Sequence, residues 1–141
     1  MTRRVRGDEG FVAVELSLGV AMLLLPVTLV VLTLPTWSER QAAARAIARE
    51  VARAAAIAGA CDEQQAQDVA DEMAAGLGIP DELDRVALDC PPGVALARGG
   101  EVTATVTVTM PAVDIPTIAS LGAWRWTAGH RQQIDPYLST P

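Results

Sequence analysis

Hydrophobic and polar positions divide the chain into three stretches of different period. From Phe11 to Leu34 nearly every residue is apolar, with Glu15 the only charge and Ser17, Thr28 and Thr33 the only hydroxyls. As a helix this run is about 36 Å long, more than the roughly 30 Å hydrocarbon core of a bilayer and more than a cleaved secretory signal needs. It predicts a transmembrane helix over 11–36, with Pro26 kinking it and Pro35 marking its exit beside an interfacial Trp37. The length and hydrophobicity of the run favour an anchor over a twin-arginine export signal at Arg3-Arg4.

From Ser38 to about Ala60 the period becomes helical. Ala44, Ile47, Val51, Ala54 and Ala58 form an apolar stripe, and Arg45, Arg49 and Arg53 recur every fourth residue on another face. That arginine row is either a solvated face or a contact for acidic surfaces on neighbouring subunits. Asp62 as N-cap, with Gln65 three residues on, starts a second, short helix. Ala66, Val69, Ala70, Met73 and Leu77 line one side of it, and Gly76, Gly78 and Pro80 stop it.

The last third alternates. Val86–Cys90 and Val94–Ala97 read as short strands about the Pro91-Pro92-Gly93 turn. After Gly99-Gly100, Val102, Ala104, Val106, Val108 and Met110 alternate with Thr103, Thr105, Thr107 and Thr109, the signature of a strand buried on one face. Pro111 and Pro116 bracket an expected loop, Thr117–Leu121 a turn of helix, Trp124–His130 a returning strand, and Ile134–Pro141 an extended tail. Trp124 and Trp126, on one side of that strand, cover the sheet or pack it on the long helix; a surface aromatic patch is the alternative. The fold expected is therefore α+β: a long N-terminal helix, a short second helix and a small antiparallel sheet.

Charge orients this layout. Arg3, Arg4 and Arg6 precede the apolar run, and most acids follow it, within a net charge of −6. The positive-inside rule places residues 1–10 in the cytoplasm and an α+β domain over 37–141 outside. An acidic outer domain lacks the basic footprint of nucleic-acid binding. Cys61 and Cys90 then lie where a disulfide can form, and an even pair allows one bridge; a reactive or metal-bound thiol lacks the clustered partners zinc requires. Asp81, Glu82, Asp84 and Asp89 lack a calcium-loop pattern and read as a solvated acidic loop. His130, the only histidine, has no nucleophile pattern or phosphate loop about it. No enzyme, cofactor or metal is expected.

One residue needs explaining. A carboxylate in hydrocarbon costs about 2.5–3.5 kcal/mol and seeks a cation or a proton. If the chain is cut between Gly10 and Phe11, the new amine lies one helical turn from Glu15, and between staggered parallel helices the amine of one subunit neutralises the carboxylate of the next.

A short basic leader, Gly10, Phe11 and Glu15 at the fifth position after it resemble the prepilin signal. The order of anchor, Pro26, alanine-arginine helix (44–53), Thr/Val strand and terminal Ile134-Asp135-Pro136-Tyr137 resembles TadE-like proteins of the tight-adherence (Tad/Flp) pilus system. That resemblance implies a minor pseudopilin with Gly10 and Phe11 as cleavage pair and Glu15 as assembly residue. Its implied partners are a prepilin peptidase, other pilin subunits and the Tad machinery. Leu16 stands where the major Flp pilins carry Tyr, and the chain is longer than theirs, which points away from the main fibre subunit. The alternatives are a minor pseudopilin of a type II secretion or type IV pilus system, and a membrane-tethered binding protein with an uncleaved signal anchor.

Overall fold

The computed structural model describes residues 8–90, 99–115, 117 and 119–137, with side chains from Val12 onward. Helix α1, Asp8–Ala58, is followed by α2, Glu63–Gly76, a 3-10 turn, Pro80–Glu82, and strands β1, Leu83–Asp89, β2, Glu101–Ile115, and β3, Ala119–Gln133. The strands form one antiparallel sheet in the order β1-β2-β3. The architecture is α+β.

Helix α1 runs for 51 residues without interruption through Pro26 and Pro35, where an exit and a resumption were expected. Each proline removes one donor from the ladder, and nearby hydroxyls compete for carbonyls along the same stretch. Thr28 Oγ1 donates to Leu24 O, Thr33 Oγ1 to Val30 O and Ser38 Oγ to Pro35 O, all at 2.8 Å. The two halves of the helix meet different surroundings. Up to Leu34 almost every side chain is exposed, while Ala43, Ala44, Ile47, Ala48, Val51, Ala52, Ala55 and Ala56 are buried. The buried stripe thus passes through Ala55 and Ala56; Ala54, expected in it, is half-buried, and Ala58 is exposed.

Asp62 caps α2 as expected, its Oδ1 accepting from the amides of Gln64 and Gln65 at 2.9 and 3.2 Å. The helix closes on Gly78, which takes φ +74° so that its amide and that of Ile79 bond back to Ala75 O and Ala74 O, and Ile79 folds into the core. Ala66, Ala70 and Ala74 form its buried seam, with Val69 and Met73 beside them, whereas Leu77 turns outward.

Residues directly opposite in an antiparallel pair share a face. Val86, Val106 and Ala128 align, as do Leu83, Val108 and Trp126, so the apolar set of β2 meets α1 and α2 as one core. Val102, Val106, Val108 and Met110 are fully buried, each worth about 1.5–3 kcal/mol. The helix side is mainly alanine, which lets α1 and α2 approach closely but buries little area per residue. On the outer face Thr107 and Thr127 hydroxyls meet at 3.0 Å, and Arg125 reaches Asp84, pushed out by a register shift in β1.

Four sequence expectations change. Beyond Pro111 the chain stays in β2 to Ile115, because β1 stops opposite Val108 and leaves β2 an edge where a missing donor is tolerated. β3 begins at Ala119, so the stretch from Ala119 to Leu121 is strand where a turn of helix was expected. Gly122, at φ +67°, faces Ala112 so closely that a Cβ there would stand 2.9 Å from the alanine's. Ile134 is a buried plug with its amide bonded to Gly100 O, not part of a loose tail. In place of a solvated acidic loop carrying Asp81, Glu82, Asp84 and Asp89, the first two lie in the 3-10 turn and the last two in β1, with Glu82 and Asp84 each paired to an arginine. The Pro91-Pro92-Gly93 turn, the strand at 94–97, Pro116, the end of the tail and the leader arginines lie outside the described residues.

Candidate functional site

The apolar half of α1 projects from the folded domain with its side chains open. Met22 is 80% and Leu18 69% exposed, and residues of every helical face share this exposure. One N-terminal helix is therefore long and apolar enough to cross a membrane. Ser17 Oγ donates to Ala13 O at 2.7 Å, so its hydroxyl, like that of Thr28, is satisfied inside the helix and needs no water.

Glu15 is the exception. Its side chain is exposed on this helix and forms no ion pair among the described residues. It shares a face with Val12, Leu16, Gly19, Val20, Leu23 and Leu24. Gly19, one turn on, has nothing within 4 Å of where a Cβ would stand, which leaves a notch beside the carboxylate. Gly10 and Phe11 lie in the first turn of α1, and the backbone alone places them there.

The folded end of α1 is clamped to the sheet by three residues, of which the sequence singled out only Trp37, as an interfacial residue, and gave no sign of Thr36 or Arg40. Thr36 Oγ1 donates to Asp114 Oδ2 at 2.7 Å, Trp37 Nε1 to Pro111 O at 2.7 Å, and Arg40 to both Glu82 Oε1 at 2.7 Å and Thr109 O at 3.1 Å. Ser120 Oγ adds a 2.6 Å bond to Asp114 Oδ1. These bonds, Ser120's first, and the nearby Arg40 charge hold the Asp114 carboxyl below its ordinary range. The ring of Trp37 meets Trp124 edge to face at 6.1 Å. The tryptophans of β3 accordingly pack the sheet on the long helix: Trp124 through Trp37, and Trp126 under the Arg45 guanidinium, 5.0 Å from its ring centre.

Cys61 and Cys90 are joined in a disulfide, with Cα atoms 6.5 Å apart, linking the turn before α2 to the end of β1. Arg49 and Arg53 stand exposed; Arg53 reaches Glu50 at 3.5 Å. His130 is half-buried on the helix-facing side of β3, opposite Ala104. The sequence-predicted residues therefore do not converge: Glu15 lies far down the apolar helix, while the disulfide and His130 belong to the folded domain. The clamp carried no sequence signal, since Thr36 and Asp114 are 78 positions apart.

Comparisons with protein-family models, curated proteins and solved structures give no match to the chain. Function rests on the residues themselves.

Proposed function

We propose that the chain is a minor pseudopilin or assembly factor of a Tad/Flp-type pilus, anchored by the first half of α1 and acting through subunit contacts. The observation that carries this reading is a single helix whose apolar half projects bare, with one carboxylate that has no ion-pair partner among the described residues, and whose other half is the spine of the folded domain. In hydrocarbon Glu15 needs a cation, and cleavage between Gly10 and Phe11 supplies an amine one turn away on each subunit. The notch at Gly19 lets a neighbouring helix approach closely beside that carboxylate. Opening the first turn of α1 for a peptidase costs little, because its amides lack helical acceptors and Gly10 disfavours the helix by about 1 kcal/mol. The leader arginines place the N-terminus in the cytoplasm and the folded domain outside.

Mass spectrometry of the mature N-terminus tests this. With a prepilin peptidase present the chain starts at Phe11, and Gly10→Arg abolishes the cut; an intact Met1 terminus in such cells sinks the processing claim. A second reading, a tethered binding protein with an uncleaved anchor, draws support from the groove between Ala42, Ala43, Ala46 and Leu77–Ile79. It predicts that intact terminus. Processing in cells that carry only a type II secretion or type IV pilus peptidase would move the assignment to those systems.

A further inference from the structure

We propose that neighbouring copies associate side by side through their folded domains, the arginine row of α1 in one copy against the acidic face of α2 in the next. The two surfaces are opposite in charge and lie on opposite sides of the molecule. Helix α1 packs on β2 and β3, and α2 packs on α1 and β1. Arg45 stands over Trp126 of β3, and Arg53 lines a cleft with Gln132 and Gln133 at the end of that strand, so the row faces the β3 edge. Helix α2 carries Glu63, Asp68, Asp71 and Glu72 and no basic residue. None of the four forms an ion pair among the described residues. Gln64 and Gln67 donate to Asp68 and Asp71 at 3.0 and 2.9 Å and hold those carboxylates on the exposed face.

The heights agree as well. α1 and α2 form an antiparallel hairpin in which Ala43 and Gly78 line one groove. With equal rise along both helices, Arg49 is then about level with Glu72, and Arg53 with Asp68. Copies standing upright beside each other bring these pairs together with no vertical shift. Arg49 forms no ion pair among the described residues, and the Arg53–Glu50 contact, at 3.5 Å with both side chains largely exposed, is a weak competitor. The net charge of −6 opposes association at long range, but a Debye length of about 10 Å at 0.1 M salt leaves mainly the facing groups to decide it. Because the two surfaces differ, the contact is heterologous and leaves a free face at each end, so copies can add in a row. The inference rests on the membrane anchor of the preceding reading, which keeps copies upright, and not on cleavage.

The test uses the full-length, disulfide-bonded protein in lipid vesicles, with donor and acceptor dyes on separate pools. Wild type shows energy transfer that falls as salt rises. Arg49→Glu/Arg53→Glu makes the facing positions of both surfaces acidic, and Asp68→Arg/Glu72→Arg makes them basic on both; each variant alone loses the salt-sensitive association by about tenfold or more. Mixing the two variants restores it, since each then meets its opposite. Melting curves establish that both variants fold, and the milder Arg49→Gln/Arg53→Gln gives an intermediate loss. A variant that associates like wild type, or a mixture that fails to recover, overturns the proposal. N-terminal processing is read separately in cells: salt-sensitive pairing without processing sinks the pilus reading alone, and processing without pairing sinks this one alone.

Discussion

Asp114 is where the sheet grips the helix that leaves it. Its two oxygens accept from hydroxyls on different elements, Thr36 of α1 and Ser120 of β3, so one charge ties three segments together. Because these bonds favour the ionised form, its folded pKa lies below the unfolded value. The stabilisation is therefore complete above the ordinary aspartate pKa of about 3.9 and is lost as pH falls through the depressed folded value. Asp114→Asn removes this dependence. Melting temperatures between about pH 2 and pH 7 should show wild type ahead of the variant at neutral pH and the gap closing in acid; a gap that stays constant with pH would refute the ionic role. Arg40 serves the same junction differently, as a guanidinium about four-fifths shielded that bridges Glu82 and a β2 carbonyl.

At the scale of elements, what was legible in the sequence had a period. The alternating Val/Thr run became β2 with its apolar set fully buried, and the Asp62 cap opened α2 where local chemistry required. Glu15 stood out for the same reason, as one charge in an unbroken apolar run. What escaped depended on neighbours distant in sequence. Pro111 reads as a strand breaker until β1 is seen to stop short of it, and Ile134 reads as tail until Val102, Ala55 and Ala56 are seen to enclose it. The seam between the two helices is largely alanine and buries little area per residue, and the disulfide compensates by fixing the turn between them to β1. In the chain-entropy picture a bridge across 29 positions stabilises by about 3–4 kcal/mol. Replacing both cysteines with Ser should lower the urea-unfolding free energy by about that amount, and adding reductant to wild type should do the same; a change below about 1 kcal/mol would mean the hairpin holds its place without the bridge.

The whole molecule is two objects built on one helix, and the boundary between them can be placed by contacts. Leu34 is still 49% exposed and Thr33, though buried, donates to Val30 O within the helix, whereas Thr36, Trp37 and Arg40 each bond to the sheet. A chain beginning at Pro35 therefore keeps every polar tether of the clamp, sheds the bare apolar run, and starts its helix with a proline in the first turn, where the lost donor matters least. It should be soluble without detergent and melt in one cooperative step. Beginning instead at Gln41 removes the Thr36, Trp37 and Arg40 contacts together, at a cost of at least about 3 kcal/mol from charged hydrogen bonds and the aromatic pair. Most of the alanine seam is retained, so this shorter chain should show a lower, broader melt while the disulfide still forms. Size-exclusion chromatography and thermal scans of the two chains decide the matter. Aggregation of the chain that starts at Pro35 would show that the folded domain depends on the apolar half of α1, and that the two objects are one.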